Sequence, residues 1–275
     1  LATRIISALI ALPVALVAMG LGGWAFAALV LFVGGVCLFE FMSMTLPGDR
    51  PAQALLTALG LTLMVGILTG AMASPLALVG LSVVPLLVLT FFLFRTGDLG
   101  SVAARLSFGF TGLFWAGGLL AITGALRWLD DGFAWLLLAC VLAWMSDTGA
   151  YFAGRALGRH KLYEKVSPKK TWEGAVGGVL AATAGAFALS RLYGPQVDAV
   201  HLAILAPVAA AFGQVGDLAE SLLKRSVGVK DSGKIMPGHG GLFDRVDALI
   251  FVGPVVLSYA VAVLGLPVRW LGSPW

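Results

Sequence analysis

Asp147 stands in FAWLLLACVLAWMSDTGAYFAG, well inside an otherwise apolar run. A lone carboxylate facing hydrocarbon is costly, so this one needs a bundle interior or an aqueous pocket, with a cation or metal as partner. An interhelical pair to a basic residue would satisfy it, and so would a reaction site. A second run, APVAAAFGQVGDLAESLLKRSVG, carries Asp217, Glu220, Ser221 and Lys224. Their spacing of i, i+3, i+4 and i+7 puts them on one helix face, while Val215, Leu218, Leu222 and Leu223 fall mainly opposite. That face is either a salt-bridge stripe or the polar wall of a site.

The next stretch is VKDSGKIMPGHGGLFDRVDALIFVGPVV. GHGG at 238–241 cannot be an ordinary helix interior, and three glycines around His239 let the backbone fold tightly around a ligand. Asp244, Arg245 and Asp247 follow at once. The two acids share a face at i and i+3 near a helix amino end, where they could cap the helix or hold a divalent cation that grips phosphate. Upstream lies a basic segment, GRALGRHKLYEKVSPKKTWEG. Anchoring to anionic lipid accounts for Arg159 and Lys161. Ser167, Lys169, Lys170 and Thr171, set against the start of an apolar run, form a phosphate-binding arrangement beside a helix amino terminus.

These residues are held by a chain of 275 residues that is 59% hydrophobic and only 12% charged, with mean hydropathy +0.96. Soluble domains carry about twice that charge, so the chain reads as a membrane protein. Nine apolar segments lie at roughly 4–20, 24–44, 52–70, 75–94, 101–125, 133–155, 173–193, 201–224 and 243–266. Their continuous rather than alternating character excludes a β-barrel. With the amino end inside, 15 of the 18 Lys and Arg fall on inner loops, leaving Arg127, Arg191 and Arg269 outside. The expectation is an all-α polytopic protein of nine spans, amino end cytoplasmic and carboxyl end external. Residues 1–146 hold 10 of the 32 charged residues. Residues 1–132 therefore read as a hydrophobic scaffold of five helices and 133–275 as a catalytic region of four. Cys37 and Cys140 lie in apolar runs and read as packing residues. The sequence opens at Leu1, without a cleavable signal pattern. No HExxH, GxGxxG or Walker motif is present, and the basic content is loop charge, so zinc proteolysis, dinucleotide binding, P-loop hydrolysis and nucleic-acid binding gain no support.

The run SLLKRSVGVKDSGKIMPGHGGLFDRVD from Ser221 to Asp247 resembles the signature of the phosphatidate cytidylyltransferase (CDP-diglyceride synthetase) family. SDTGAYFAG from Ser146, SPKKTWEG from Ser167 and GDLAES before the signature add to the likeness. Met236 departs from the branched aliphatic residue expected there, a mild change for a flexible apolar side chain. The resemblance implies an integral enzyme of the cytoplasmic membrane, its site facing the cytoplasm, that converts CTP and phosphatidate to CDP-diacylglycerol and diphosphate with Mg²⁺. It implies a homodimer among anionic lipids. Asp217, Asp244 and Asp247 would hold the metal and take part in catalysis with Lys224, His239 and Arg245, the histidine orienting a phosphate or a metal-bound water. Substrate binding would fall to Asp147, Ser167, Lys169, Lys170, Thr171, Ser221, Arg225, Lys230, Asp231, Ser232, Gly233, Lys234, Gly238, Gly240 and Gly241. Two other classes stay open: a CTP-dependent lipid-alcohol kinase similar in some signatures, and an ion-coupled transporter relaying through Asp147 and Asp217.

Overall fold

All nine apolar segments are helical in the computed structural model, which describes residues 2–95, 98–236, 238 and 240–271. The helices are α1 (Ala2–Leu21), α2 (Gly23–Thr45), α3 (Arg50–Leu68), α4 (Leu76–Leu93), α5 (Leu99–Gly112), α6 (Leu120–Ala125), α7 (Gly132–Leu157), α8 (Trp172–Leu192), α9 (Ala199–Ser226) and α10 (Phe243–Ala262). A π-helical stretch, Leu113–Leu119, joins α5 to α6. Among the described residues seven helical runs are long and apolar enough to cross a bilayer: Gly23–Thr45, Arg50–Leu68, Leu99–Trp128, Gly132–Leu157, Trp172–Leu192, Ala199–Ser226 and Phe243–Ala262. Shorter apolar helices, Ala11–Leu21 and Ala77–Leu93, occupy the other two segments. The chain is thus a polytopic, all-α membrane protein with seven to nine candidate spans. Among the described residues the named strands form a small antiparallel hairpin, β1 (Lys161–Tyr163) with β2 (Ser167–Thr171), built from the basic segment that the sequence presents as a loop.

Helix starts follow the capping residues. Asp49, Asp98, Thr171 and Asp198 accept hydrogen bonds from the amides of Ala52, Gly100, Gly174 and Val200, so each satisfies a donor that the first turn leaves unpaired. Two compact units result. The first comprises Leu1–Ile122, Asp231–Asp244 and Trp270–Trp275, the second Thr123–Lys230 and Arg245–Arg269. In the first, Phe41, Trp115 and Phe243 meet edge to face, with ring centroids 5.9 to 6.2 Å apart. The π-helical stretch carries Trp115 into this cluster, and Cys37 is buried one turn of α2 earlier. In the second, α7 and α8 pack through small residues. A Cβ on Gly178 would come within 2.7 Å of both the Ser146 carbonyl and Gln214 Nε2, so only glycine allows this approach. Cys140 is buried on α7, in keeping with its reading as a packing residue.

Candidate functional site

Within the second unit, α7, α8, α9 and the hairpin line an open cavity of about 560 Å³. Along β2 Lys169 is exposed, Lys170 half-buried and Thr171 buried, and all three line the cavity. Thr171 also caps α8 through the Gly174 amide at 3.1 Å, which ties the end of the lysine strand to the helix start. Lys161 Nζ donates to the Pro168 carbonyl at 2.6 Å and so braces the hairpin. His160 Nδ1 lies 2.6 Å from Glu173 Oε1, and the Arg159 and His160 amides donate to the same carboxylate. Glu173, in the first turn of α8, therefore holds the hairpin entrance in place.

Lys170 Nζ sits 2.6 Å from Asp217 Oδ2, both half-buried. On α9, Gln214 precedes Asp217 by three residues and lines the same cavity, donating from Nε2 to Ser146 Oγ at 3.1 Å and to the Ala175 carbonyl at 3.0 Å. Asp147 lines the opposing α7 wall with Tyr151 and Arg155. The charges of Lys170, Arg245 and Asp217 all reach it. Asp247 feels Asp217 and Asp147, lies against Glu220, and accepts from the Ala248 amide at 2.7 Å. Glu220 is fully buried and bonded to Lys224 at 2.9 Å. The polar stripe of α9 is thus divided: Asp217 faces a lysine of the hairpin, while Glu220 and Lys224 form a buried pair. Ser221 is half-buried, and Arg225 is exposed, donating to the Val229 carbonyl.

The signature stretch 231–244 belongs to the first unit. Met236 N donates to the Gly240 carbonyl at 3.0 Å, closing a tight turn. Gly238 and Gly240 take φ of 77° and 86°, which explains glycine at both positions. Asp244 accepts from the Ser232 amide at 3.0 Å and the Gly241 amide at 2.8 Å, so its carboxylate ties the two ends of the stretch together. Asp231 and Lys234 are exposed and Ser232 is buried. Lys230, at the end of the second unit's main segment, is exposed. His239 lies outside the described residues. Sequence reasoning singled out neither Gln214, Tyr151 nor Arg155. Nor did it single out Glu40 of α2, whose Oε2 accepts from the Phe243 amide at 2.9 Å and from Ser232 Oγ at 3.3 Å. A lone acid in CLFEFMS was the available signal, the same one that marked Asp147.

Among the described residues no three His, Cys, Asp or Glu side chains converge as a ready metal cage. The donor chemistry nevertheless fits a hard divalent cation. Asp147, Asp217 and Asp247 offer carboxylate oxygens whose charges act on one another, and among the described residues no sulfur or imidazole lines the cavity. A ring of lysines and carboxylates around a cavity of this size can hold phosphate groups and neutralise charge that develops on them.

The sequence model of the cytidylyltransferase family matches residues 2–263. The phosphatidate cytidylyltransferase of Bacillus subtilis (strain 168) is 44% identical over 130 residues, covering 47% of this chain and 48% of that protein. That of Brucella suis biovar 1 (strain 1330) is 44% identical over 140 residues, 50% and 52% of the two chains. That of Staphylococcus epidermidis (strain ATCC 12228 / FDA PCI 1200) is 42% identical over 127 residues, 46% and 49%. The chain spans about half the length of the curated relatives it matches. Because the family match runs from the first helix to just past the last, taking in the lysine hairpin, the carboxylate-bearing spans and the signature turn together, the chain belongs to the cytidylyltransferase family.

Proposed function

We propose that the protein is a phosphatidate cytidylyltransferase, in which a phosphate oxygen of phosphatidate attacks the α-phosphorus of CTP. The new P–O bond forms as the bond to the β-phosphate breaks, giving CDP-diacylglycerol and diphosphate. The observation that carries this reading is the Lys170–Asp217 pair in the cavity wall, with Lys169 beside it and Asp147 opposite. Lys169 and Lys170 bind and orient the anionic groups, and the Thr171 cap fixes the strand that presents them. Two anions must meet, so charge neutralisation is the main requirement and no protein nucleophile is needed. The attacking phosphate has a second pKa of about 6, so it is already ionised near neutral pH and no strong base is needed either. Mg²⁺ held by Asp217 and Asp247 would neutralise the departing diphosphate. Asp244 shapes the signature turn; a catalytic and metal-holding role for it, and substrate binding by Ser232 and the glycines of that turn, rest on the family resemblance. Cytosine selectivity rests on the family resemblance, as does a homodimer. The 15-to-3 distribution of Lys and Arg supports a cytoplasmic amino end and contact with anionic lipid. It also supports an active site reached from the cytoplasm.

The competing kinase reading makes a different product, and the position of label separates the two. With CTP labelled at the α-phosphorus, label enters the lipid; with CTP labelled at the γ-phosphorus, label leaves as diphosphate. Lipid labelled only from the γ-position, together with free CDP, would replace this reading with a lipid-alcohol kinase. Ion uptake without any diphosphate release would replace it with a transporter.

A further inference from the structure

Glu40 lies in α2, among residues that read from sequence as scaffold, yet it is only 2% exposed. Burying a carboxylate is costly unless hydrogen bonds compensate, so an acid retained here needs a specific reason. Its contacts in the first unit supply one. Oε2 accepts from both the Phe243 amide and the Ser232 hydroxyl, one residue beyond Leu242 and one before Gly233, and so clasps the signature stretch at its two ends. Phe243 is fully buried and packs its ring edge to face with Phe41 and Trp115. Two glycines of the stretch make room for the carboxylate. A Cβ on Gly241 would stand 2.6 Å from Glu40 Oε2, and one on Gly233 would stand 2.6 Å from the Glu40 carboxyl carbon. A Cβ on Gly241 would meet Ser232 Oγ first, so Gly233 is explained by the Glu40 carboxylate and Gly241 by that carboxylate together with its hydroxyl partner, whereas Gly238 and Gly240 are explained by their backbone angles.

The geometry points to Glu40 as a positioning residue for the cytidylyl transfer: it latches residues 232–243 in the shape that presents Asp244 and the glycine turn. This rests on the proposed activity for its catalytic consequence, and on hydrogen-bond geometry alone for the latch. What the latch requires is an acceptor oxygen at the reach of a glutamate. Charge is secondary, because one oxygen makes both bonds and amide oxygen accepts equally well in direction.

Glu40→Gln, Glu40→Asp and Glu40→Ala separate reach from charge. Each is purified in detergent, and its initial rate at saturating CTP and phosphatidate is measured per mole of folded protein. Hydrogen–deuterium exchange of peptides covering 231–244 is followed in parallel, without substrates. Glu40→Gln, which keeps the reach, should stay within about threefold of wild type in rate and in exchange. Glu40→Asp keeps charge but withdraws the oxygen by one methylene. It and Glu40→Ala should lose on the order of 10²-fold in kcat, since displacement of a positioned group by about 1 Å costs that much. Both should also exchange faster over 231–244. Gly241→Ala should give the same loss and the same exchange with α2 untouched. If Glu40→Gln loses activity as Glu40→Ala does, the residue acts through its charge and the latch is wrong. Unchanged exchange in Glu40→Ala overturns it as well. A wild-type protein that makes no liponucleotide overturns the proposed activity instead, and the exchange pattern still decides the latch.

Discussion

Asp217→Asn is expected to lower cytidylyl transfer by roughly 100-fold or more, the scale set by removing one fixed electrostatic contact to a developing charge in a closed site. Asparagine keeps the volume and removes the charge, so α9, capped by Asp198 and packed through its buried alanines, should still insert and fold. Two interactions weaken together: the ion pair to Lys170 is lost, and the anionic oxygen proposed for Mg²⁺ becomes a neutral amide oxygen. Initial rates across a Mg²⁺ titration check this, with chelator as the zero-metal control. The variant should show both a lower maximum and a higher Mg²⁺ requirement. Asp247→Asn should behave in the same way. Asp244→Asn differs, because it weakens the ties to the Ser232 and Gly241 amides, and its loss should come with faster exchange over 231–244. Wild-type rate and wild-type metal dependence in Asp217→Asn would remove that residue from the site.

Lys170→Gln is the second large effect. A lost charge-assisted hydrogen bond is worth about 1.5 to 3 kcal/mol, or roughly 10- to 150-fold in binding, so the KM of an anionic substrate should rise on that scale. The structure distinguishes two lysines that sequence places together. Lys170 is half-buried against Asp217 and Lys169 is exposed, so Lys169→Gln should have the smaller effect. Steady-state kinetics with CTP and phosphatidate varied in turn check the order. Equal, wild-type KM values in both variants would leave these residues as membrane anchors only.

The helices were legible because a hydrocarbon environment demands long apolar runs, and each of the nine runs is helical, the fifth interrupted by the π-helical stretch between α5 and α6. Asp147 and Asp217 were legible for the converse reason: a charge inside such a run needs a partner, and Lys170 in the cavity wall and the charge of Arg245 meet that need. The hairpin was not legible, since strands of three and five residues carry too little alternation to stand out in a basic segment. Neither was the π-helical stretch, whose FWAGG reads like ordinary helix. Lys224 illustrates a third kind of limit. Its spacing put it on the polar face of α9, but i, i+4 geometry allows a cavity or a neighbour, and the structure gives it Glu220. Glu40 was passed over because few charges in the first half suggested inert scaffold, although one acid in an apolar run is stronger evidence than the average around it.

This cavity is proposed to join the cytidylyl group of CTP to a lipid phosphate. Purified protein in vesicles containing phosphatidate, supplied with CTP and Mg²⁺, should form CDP-diacylglycerol and diphosphate in equal amounts, both abolished by chelator and both sharply reduced in Asp217→Asn. Absence of liponucleotide from the wild-type protein, or its formation at the wild-type rate by Asp217→Asn, would contradict the account.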